Sequence, residues 1–493
     1  MIYLSTQTPV FFNDICEVIR LFYGITPIEP AGDTLNVEQG GIIIRHDFSN
    51  DAGESWRNTF SLFGPGGKKL AEYEYTFHPL QSVDDMMRKR DLKRCAKTAC
   101  FRMLKNYTGQ SMPWGSLTGI RPTKLLRDIS KEGLTPEGAR EVLIERFDCS
   151  EQKASLVYET AKNQEKILSE IRPGDIDIYI GIPFCTSRCL YCSFASNPLP
   201  KDRETVQKYL DALCGEIRAA ARSILKNRHI RSVYIGGGTP TALSYEELSQ
   251  LLETVASVFR PAGAEFTLEA GRPDTLDPAK LKLARTMGVK RIAVNPQSMN
   301  EKTLAAIGRA HSPKQVVQAF AWAREEGFSC INMDIIAGLP AETPEDFDST
   351  LKAVLRLRPD NLTVHTLAVK RASRLREQLE NYALPVLCEV ERMLDTAYAS
   401  AKAAGMKPYY LYRQKYMMGN LENTGYAFPG KECLYNIDIM EERVDILALG
   451  AGAISKRIFA KGRIERHANP KDLKTYMENV ERLTIEREGF FGD

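Results

Sequence analysis

The feature that most constrains the fold of this chain is a series of six apolar segments separated by helical patterns. It predicts strands at 176–182, 231–235, 264–269, 290–294, 330–336 and 361–367. Amphipathic helical patterns lie between them, such as 203–225, where apolar residues recur every three or four positions. This alternation is typical of βα units around a parallel sheet. Six strands are too few for a closed eight-stranded barrel, so we expect an α/β fold with an open, partial (βα)6 barrel.

The rest of the chain divides around this series, and 493 residues are too many for a single core. Residues 1–172 predict a small N-terminal α/β domain with a helical accessory part, which includes a basic helical stretch at 84–105. Residues 173–380 predict the partial barrel. Residues 381–493 predict a C-terminal extension, with one long helix and then a region rich in Tyr and Gly.

Composition and charge restrict the classes of function. Asp14, Glu17 and Arg20 interrupt the apolar N-terminus, which therefore predicts neither a signal peptide nor a membrane span, and we expect a cytoplasmic protein. Its 11 cysteines should then be reduced thiols. Lys and Arg number 66 against 63 Asp and Glu, which gives no general argument for binding nucleic acid. The basic stretch 84–105 fits either an anionic partner such as RNA or, more simply, a solvated helix face.

Three cysteines follow the first predicted strand directly. Cys185, Cys189 and Cys192 would lie in one loop at the carboxyl edge of the sheet, where barrel active sites form. Structural zinc requires four ligands, and no histidine or fourth cysteine follows until Cys214, inside a helical pattern. Three thiolates on a four-iron cluster leave one iron without a protein ligand. The spacing therefore favours an iron-sulfur cluster with one open iron.

A glycine run follows the second predicted strand. Gly236-Gly-Gly-Thr-Pro240 lets the backbone approach a ligand closely, because glycine has no side chain. A simple strand-to-helix turn would explain the run equally well if it stood alone. Its place after the cysteine loop favours a cofactor site.

Together these motifs resemble a known family. The spacing Cys-x3-Cys-x2-Cys, with Tyr191 before the last cysteine, is the signature of radical S-adenosylmethionine (SAM) proteins. With Gly236–Pro240, Asn295–Gln297 and Asn332–Pro340, the chain resembles the oxygen-independent coproporphyrinogen III oxidase family. Three further segments narrow the resemblance to its HemZ branch, namely Trp114–Lys124, His365–Arg374 and Tyr409–Lys415.

The resemblance implies two cofactors, a [4Fe-4S] cluster held by Cys185, Cys189 and Cys192, and SAM bound at its open iron. Carried over by position, the SAM contacts would be Tyr179, Tyr191, Gly236, Gly237, Gly238, Thr239, Glu269, Gln297, Arg309 and Asp334. Their chemistry is suitable, because a carboxylate can accept hydrogen bonds from ribose hydroxyls or the ammonium group, and arginine can pair with the carboxylate of SAM.

The resemblance further implies a tetrapyrrole substrate and an electron donor such as flavodoxin or ferredoxin. The expected reaction is the oxidative decarboxylation of coproporphyrinogen III to protoporphyrinogen IX. Decarboxylating members have a histidine where this chain has Gly181 and a cysteine where it has Phe194. Because haem-chaperone relatives share the Phe, haem binding without oxidation is an alternative, as is another radical reaction on haem such as anaerobic ring opening.

Overall fold

The computed structural model describes residues 1–24, 26–31, 41–51, 55–78, 85–131, 133–194, 197–226, 228–261, 263–414, 417–459 and 462–492. The chain forms two compact units, one of residues 1–120, 125–158 and 419–421, the other of residues 121–124, 159–418 and 422–492. The predicted limits Asp84 and Lys415 fall outside the described residues. Among the described residues, no helix combines the length and the apolar character that crossing a membrane requires.

The first unit contains a five-stranded sheet. Its strands are β1 (Ile2–Thr6), β2 (Ile28–Pro30), β3 (Ile42–Asp51), β4 (Ser55–Phe63) and β5 (Lys69–Phe77), in the order β2-β1-β3-β4-β5. The helices here and at the transition to the second unit are α1 (Phe12–Tyr23), α2 (Asp85–Thr108), α3 (Pro122–Ser130), α4 (Pro136–Glu145) and α5 (Glu151–Ser169). The unit is α/β in character, with a helical part at its end.

The six predicted strands form the centre of the second unit. They are β6 (Asp175–Ile182), β9 (His229–Gly237), β10 (Glu265–Leu268), β11 (Arg291–Ala293), β12 (Cys330–Ala337) and β13 (Asn361–Thr366), and they are parallel in that order. Two short strands, β7 (Phe184–Cys185) and β8 (Asn197–Pro198), pair beside β6. The open, partial barrel expected from the sequence is confirmed.

Helices connect these strands and begin at recognisable caps. They are α6 (Arg203–Ser223), α7 (Tyr245–Phe259), α8 (Pro278–Thr286), α9 (Glu301–Ala306), α10 (Pro313–Glu325) and α11 (Pro344–Leu357). Ser244 and Glu247 form a reciprocal capping box at α7, and Thr343 caps α11 with Pro344 in its first turn. One face of α6 is fully buried, including Leu210, Leu213 and Ile217, as its apolar periodicity predicts.

The C-terminal part of the chain extends the same sheet at both edges. It contributes β14 (Lys407–Arg413), β15 (Glu422–Ala427), β16 (Asp445–Leu449), β17 (Ile454–Ile458) and β18 (Ile464–Ala468). Strand β15 pairs antiparallel with β13, and β16 pairs parallel with β6, giving an eleven-stranded sheet. The helices are α12 (Arg374–Glu377), α13 (Leu387–Ala403), α14 (Leu434–Glu441) and α15 (Leu473–Phe491). Apart from 419–421, the described residues from 381 to 492 fall in the same compact unit as the six parallel strands, and the domain limits at 172 and 380 stay predictions.

Candidate cofactor and substrate site

The cysteine loop begins at the carboxyl end of β6 and folds back on its own backbone. The Cys192 amide donates to the Cys189 carbonyl at 3.2 Å, and the Thr239 hydroxyl approaches the Cys185 sulfur at 3.5 Å. Cys189 is buried, whereas Cys185 and Cys192 are half-buried. All three thiols line one cavity of about 300 Å³.

Residues from other strand ends hold this loop in place. The buried guanidinium of Arg272 donates to both the hydroxyl and the carbonyl oxygen of Ser187, at 2.8 and 3.1 Å. The Leu190 amide donates to the Ile307 carbonyl at 3.0 Å. Because Ser187 and Leu190 lie between the cysteines, these bonds fix the spacing of the thiols.

The glycine run approaches the cysteine loop too closely for side chains. A Cβ atom at Gly238 would lie 2.5 Å from the Phe184 carbonyl oxygen and 3.0 Å from the Cys185 sulfur. Gly237 adopts φ +108°, which side chains disfavour. A Cβ at Gly236 would lie 2.5 Å from a carboxylate oxygen of Glu269. The glycines thus bring β9 against the thiols and Glu269.

Most of the predicted SAM contacts line the cavity together with the thiols. They are Tyr191, Gly237, Gly238, Thr239, Glu269, Gln297, Arg309 and Asp334. Gly236 and Tyr179 are not among the lining residues. The Tyr179 ring instead stacks on Tyr234 and Tyr435, with centroids 6.3 and 6.0 Å away. Tyr179 therefore supports the wall behind the glycines.

Arg309 and Glu269 both line the cavity with the thiols. Arg309 donates to the Gly271 and Asn295 carbonyls at 2.9 and 3.3 Å and to the Tyr191 hydroxyl at 3.2 Å, while its buried Nε has no partner among the described residues. Burial, together with the charge of Asp334, raises the pKa of Glu269 to about 8. A buried cation with an unused donor and a carboxyl that resists ionisation are suited to a zwitterionic ligand.

Asp334 lies at the next strand end in a denser set of contacts. Asn332 donates to it at 2.7 Å, and the His365 Nε2 is 3.6 Å from its other oxygen. Burial acts to raise the pKa of Asp334, but His365 and Asn332 outweigh it and lower that pKa overall. Asp334 is therefore an anion, in contrast to Glu269.

Gln297 reaches the cavity through an unusual backbone conformation. Its φ is +66°, rare for a residue other than glycine. Two backbone hydrogen bonds to β12 offset the strain at Gln297. Its amide donates to the Asp334 carbonyl, and its carbonyl accepts from the Ile336 amide. Such strain is typical of functional sites, where surrounding bonds hold it in place.

A second group of lining residues comes from positions that sequence reasoning missed. Tyr410, Tyr412, Asn423 and Asn436 line the cavity from the C-terminal strands and α14. The Tyr410 and Tyr412 rings lie 5.2 Å apart, and Gln414 donates to the Tyr412 hydroxyl at 3.1 Å. Burial raises the pKa of Tyr412 to about 12, so its hydroxyl stays protonated and can donate. One sequence signal could have identified the two tyrosines. Tyr410 and Tyr412 stand at alternate positions of a Tyr-rich region, and alternate residues of a strand lie on the same face of a sheet.

The donor set fits an iron-sulfur cluster with SAM. Three thiols share one cavity wall, and Arg309 and Glu269 offer complementary groups beside them. Within the described ranges, no three His, Cys, Asp or Glu side chains are placed to hold a single metal ion. A four-iron cluster does not need such convergence, because each thiolate binds a separate iron.

Comparison with known proteins identifies the class. Residues 179–354 match the radical SAM superfamily, a stretch that begins within β6, includes the cysteine loop and extends past β12. The solved structure of the coproporphyrinogen III oxidase HemN from Escherichia coli is similar, with TM-score 0.52 and 26% identity, covering 66% of this chain and 73% of that one. The chain is a radical SAM protein with a HemN-like fold, and its cofactors are a [4Fe-4S] cluster and SAM.

Curated relatives define the family more closely. The chain is 38% identical over 412 residues to the oxygen-independent coproporphyrinogen-III oxidase-like protein HemZ of Bacillus subtilis, covering 82% of each chain. It is also 30% identical to the haem chaperone HemW of Escherichia coli, covering 62% of this chain and 76% of the relative. The chain therefore belongs to the HemZ branch of the coproporphyrinogen III oxidase-like radical SAM family. This is a family of tetrapyrrole-related proteins.

Proposed function

We propose that this chain catalyses the oxygen-independent oxidative decarboxylation of coproporphyrinogen III to protoporphyrinogen IX in the cytoplasm. The observation that carries the proposal is that two chemically different groups of residues line one cavity. Thiols, glycines and charged groups form one wall, and Tyr410, Tyr412 and two asparagines form the other. The similarity to the HemZ relative supports a tetrapyrrole as the second ligand.

We assign the cluster to Cys185, Cys189 and Cys192, and the binding of SAM to the wall beside them. Arg309 would pair with the carboxylate of SAM, because its Nε is buried and unpaired. Glu269 and Asp334 would accept hydrogen bonds from its ammonium or ribose groups. When bound, SAM supplies the 5′-deoxyadenosyl radical that abstracts hydrogen from a substrate propionate.

The chain itself orients the substrate and excludes water. The Tyr410 and Tyr412 rings offer flat apolar surfaces for a macrocycle, and their protonated hydroxyls offer donors at its edge. Asn423 and Asn436 add further polar groups to the same wall. Such positioning matters because a radical must react with one hydrogen of a large substrate.

The test is an anaerobic incubation of reconstituted protein with SAM, a reductant and coproporphyrinogen III, followed by mass spectrometry. We expect loss of two carbon dioxide units per macrocycle, with 5′-deoxyadenosine formed in proportion. Cys189→Ala should abolish both products. Deoxyadenosine accompanied by an intact or otherwise altered macrocycle would contradict decarboxylation and indicate another radical reaction, such as ring opening.

A second candidate function is haem trafficking, favoured by the similarity to HemW and by Phe194. Phe194 lines the cavity and is 68% exposed. The position at which decarboxylating members have a cysteine is therefore part of the cavity, and here it carries a phenylalanine. Gly181 differs in this respect, since it does not line the cavity. Tight haem binding that is transferred to an acceptor without consuming SAM would favour this function over the oxidase.

A further inference from the structure

The segment after β13 lies directly against the cysteine loop. The Leu375 amide donates to the Leu190 carbonyl at 2.9 Å, and both side chains are buried in one apolar cluster. From the other side, the Arg188 guanidinium donates to the Ala372 carbonyl at 2.5 Å. Leu190 and Arg188 lie on either side of Cys189, so this segment borders the cluster site.

Buried residues hold the segment 370–376 in place, and its arginines are exposed to solvent. Ser373 is fully buried, donates to the Lys370 carbonyl at 2.7 Å and caps α12 by accepting from the Arg376 amide at 3.3 Å. Ser373 and Leu375 point inward, whereas Arg371, Arg374 and Arg376 are exposed. We call these three residues the arginine patch.

The arginine patch is a local excess of positive charge in a nearly neutral chain. Residues 361–377 contain four cationic side chains and one carboxylate, that of the exposed Glu377, and residues 183–194 add Arg188 and no carboxylate. Within the described part of the chain, the guanidinium groups of the patch form no ion pair or hydrogen bond. Such a field attracts an acidic partner and accelerates its association.

Two neighbouring features place this charge beside the cluster ligands. Lys370, next to the patch, lines the cavity together with Cys192. Phe194, two residues beyond Cys192, exposes 68% of its surface. Aromatic residues and arginine are the residue types enriched at protein interfaces.

We propose that the arginine patch and Phe194 form the docking surface for an acidic, low-potential electron-transfer protein that reduces the cluster. The proposal rests on the radical SAM function assigned above, because that chemistry requires one electron from outside the chain. In the step, the carrier is oxidised by one electron and the cluster is reduced by one, from the 2+ to the 1+ state. No bond or proton changes place.

The first test measures binding without any turnover. Oxidised flavodoxin, an acidic carrier, is titrated into the reconstituted protein by calorimetry at low salt. Replacing the patch by R371Q/R374Q/R376Q should weaken binding by about tenfold, a size typical for the loss of several steering charges. The charge-preserving R371K/R374K/R376K should bind like the wild type, which excludes a general folding defect.

The second test measures the rate of cluster reduction by its absorbance change. With reduced flavodoxin, the glutamine variant should be about tenfold slower, and the wild-type rate should fall towards it as salt rises from about 0.05 M to about 0.5 M. With photoreduced 5-deazariboflavin, a small uncharged reductant, the two proteins should react equally. The control R222Q/K226Q/K282Q removes three exposed cations from α6, the turn after it and α8, and should behave as wild type.

Two outcomes would overturn the proposal. One is unchanged flavodoxin binding and reduction in the glutamine variant. The other is an equal loss with the uncharged reductant, or a raised KM for coproporphyrinogen with that reductant, either of which would assign the patch to the cluster or the substrate instead. Binding and reduction are measured without tetrapyrrole, so failure of the decarboxylation reaction would leave both results interpretable.

Discussion

The two walls of the cavity were built in different ways. The wall with the thiols comes from successive strand ends between residues 182 and 334, in the order of the chain. The second wall comes from β14 and β15, which reach the cavity because β15 pairs antiparallel with β13, and from Asn436 of α14. The first wall carries groups suited to a small charged cofactor, and the second carries rings and amides suited to a large flat ligand. We propose that this division separates cofactor binding from substrate binding within a single cavity.

The most severe way to break this division is to remove a thiol. Cys189→Ala should abolish deoxyadenosine formation with or without tetrapyrrole, because a cluster ligand is lost, and iron analysis should show incomplete loading. The matched control is Cys388→Ala, which changes an exposed cysteine on α13. Normal iron content and activity in Cys189→Ala would assign the cluster elsewhere.

The next test addresses the charged cofactor wall. Arg309→Met removes a buried guanidinium that has three hydrogen bonds, and it should raise the KM for SAM by roughly 10- to 100-fold, as expected for bonds to a charged group. The KM for coproporphyrinogen should change little. Arg324→Met, which removes a partly exposed pair with Asp360, serves as the control. An equal effect on both KM values would mean that the walls do not act separately.

Sequence reasoning predicted the first wall better than the second for a physical reason. The cysteine spacing, the glycine run and the strand ends are local patterns, and parallel strands necessarily bring their carboxyl ends to one edge. Asn423 lies on β15, whose antiparallel partner β13 is about 60 residues earlier, and Tyr410 lies on β14, which pairs with β15. Local patterns do not determine these pairings. The same limit explains why 381–493 was expected as an extension, although its strands complete the sheet at both edges.

A smaller effect is expected on the substrate wall. Tyr410→Phe and Tyr412→Phe each remove one hydroxyl while keeping the ring, and each should raise the KM for coproporphyrinogen by about two- to tenfold, the range for one neutral hydrogen bond. SAM cleavage without tetrapyrrole should remain as in the wild type. Tyr398→Phe, on the outer helix α13, is the matched control. A change in the KM for SAM alone would place these hydroxyls at the cofactor instead.

The last test concerns the stability of the cofactor-free protein. The folded-state pKa of Glu269 is about 8, above its usual value of about 4.5, so the folded protein binds a proton more tightly than the unfolded chain. The resulting stabilisation is complete below about pH 4.5 and is lost as the pH rises through about 8. Glu269→Gln removes this pH dependence. The free energy of unfolding of the variant, relative to that of the wild type, should therefore rise between about pH 5 and 8 and stay constant above that range. The slope of the rise is at most about 1.4 kcal/mol per pH unit.

Urea unfolding of the two proteins across this pH range measures the difference, with Glu253→Gln, at an exposed position of α7, as the control. A constant difference between Glu269→Gln and the wild type would mean that Glu269 ionises normally in the empty cavity. If the difference in unfolding free energy rises with pH in the empty protein and disappears once SAM is bound, Glu269 responds to the cofactor. The positive charge of SAM would then stabilise the ionised form of Glu269, which stays protonated while the cavity is empty. The Tyr412 hydroxyl, in contrast, stays protonated with or without SAM.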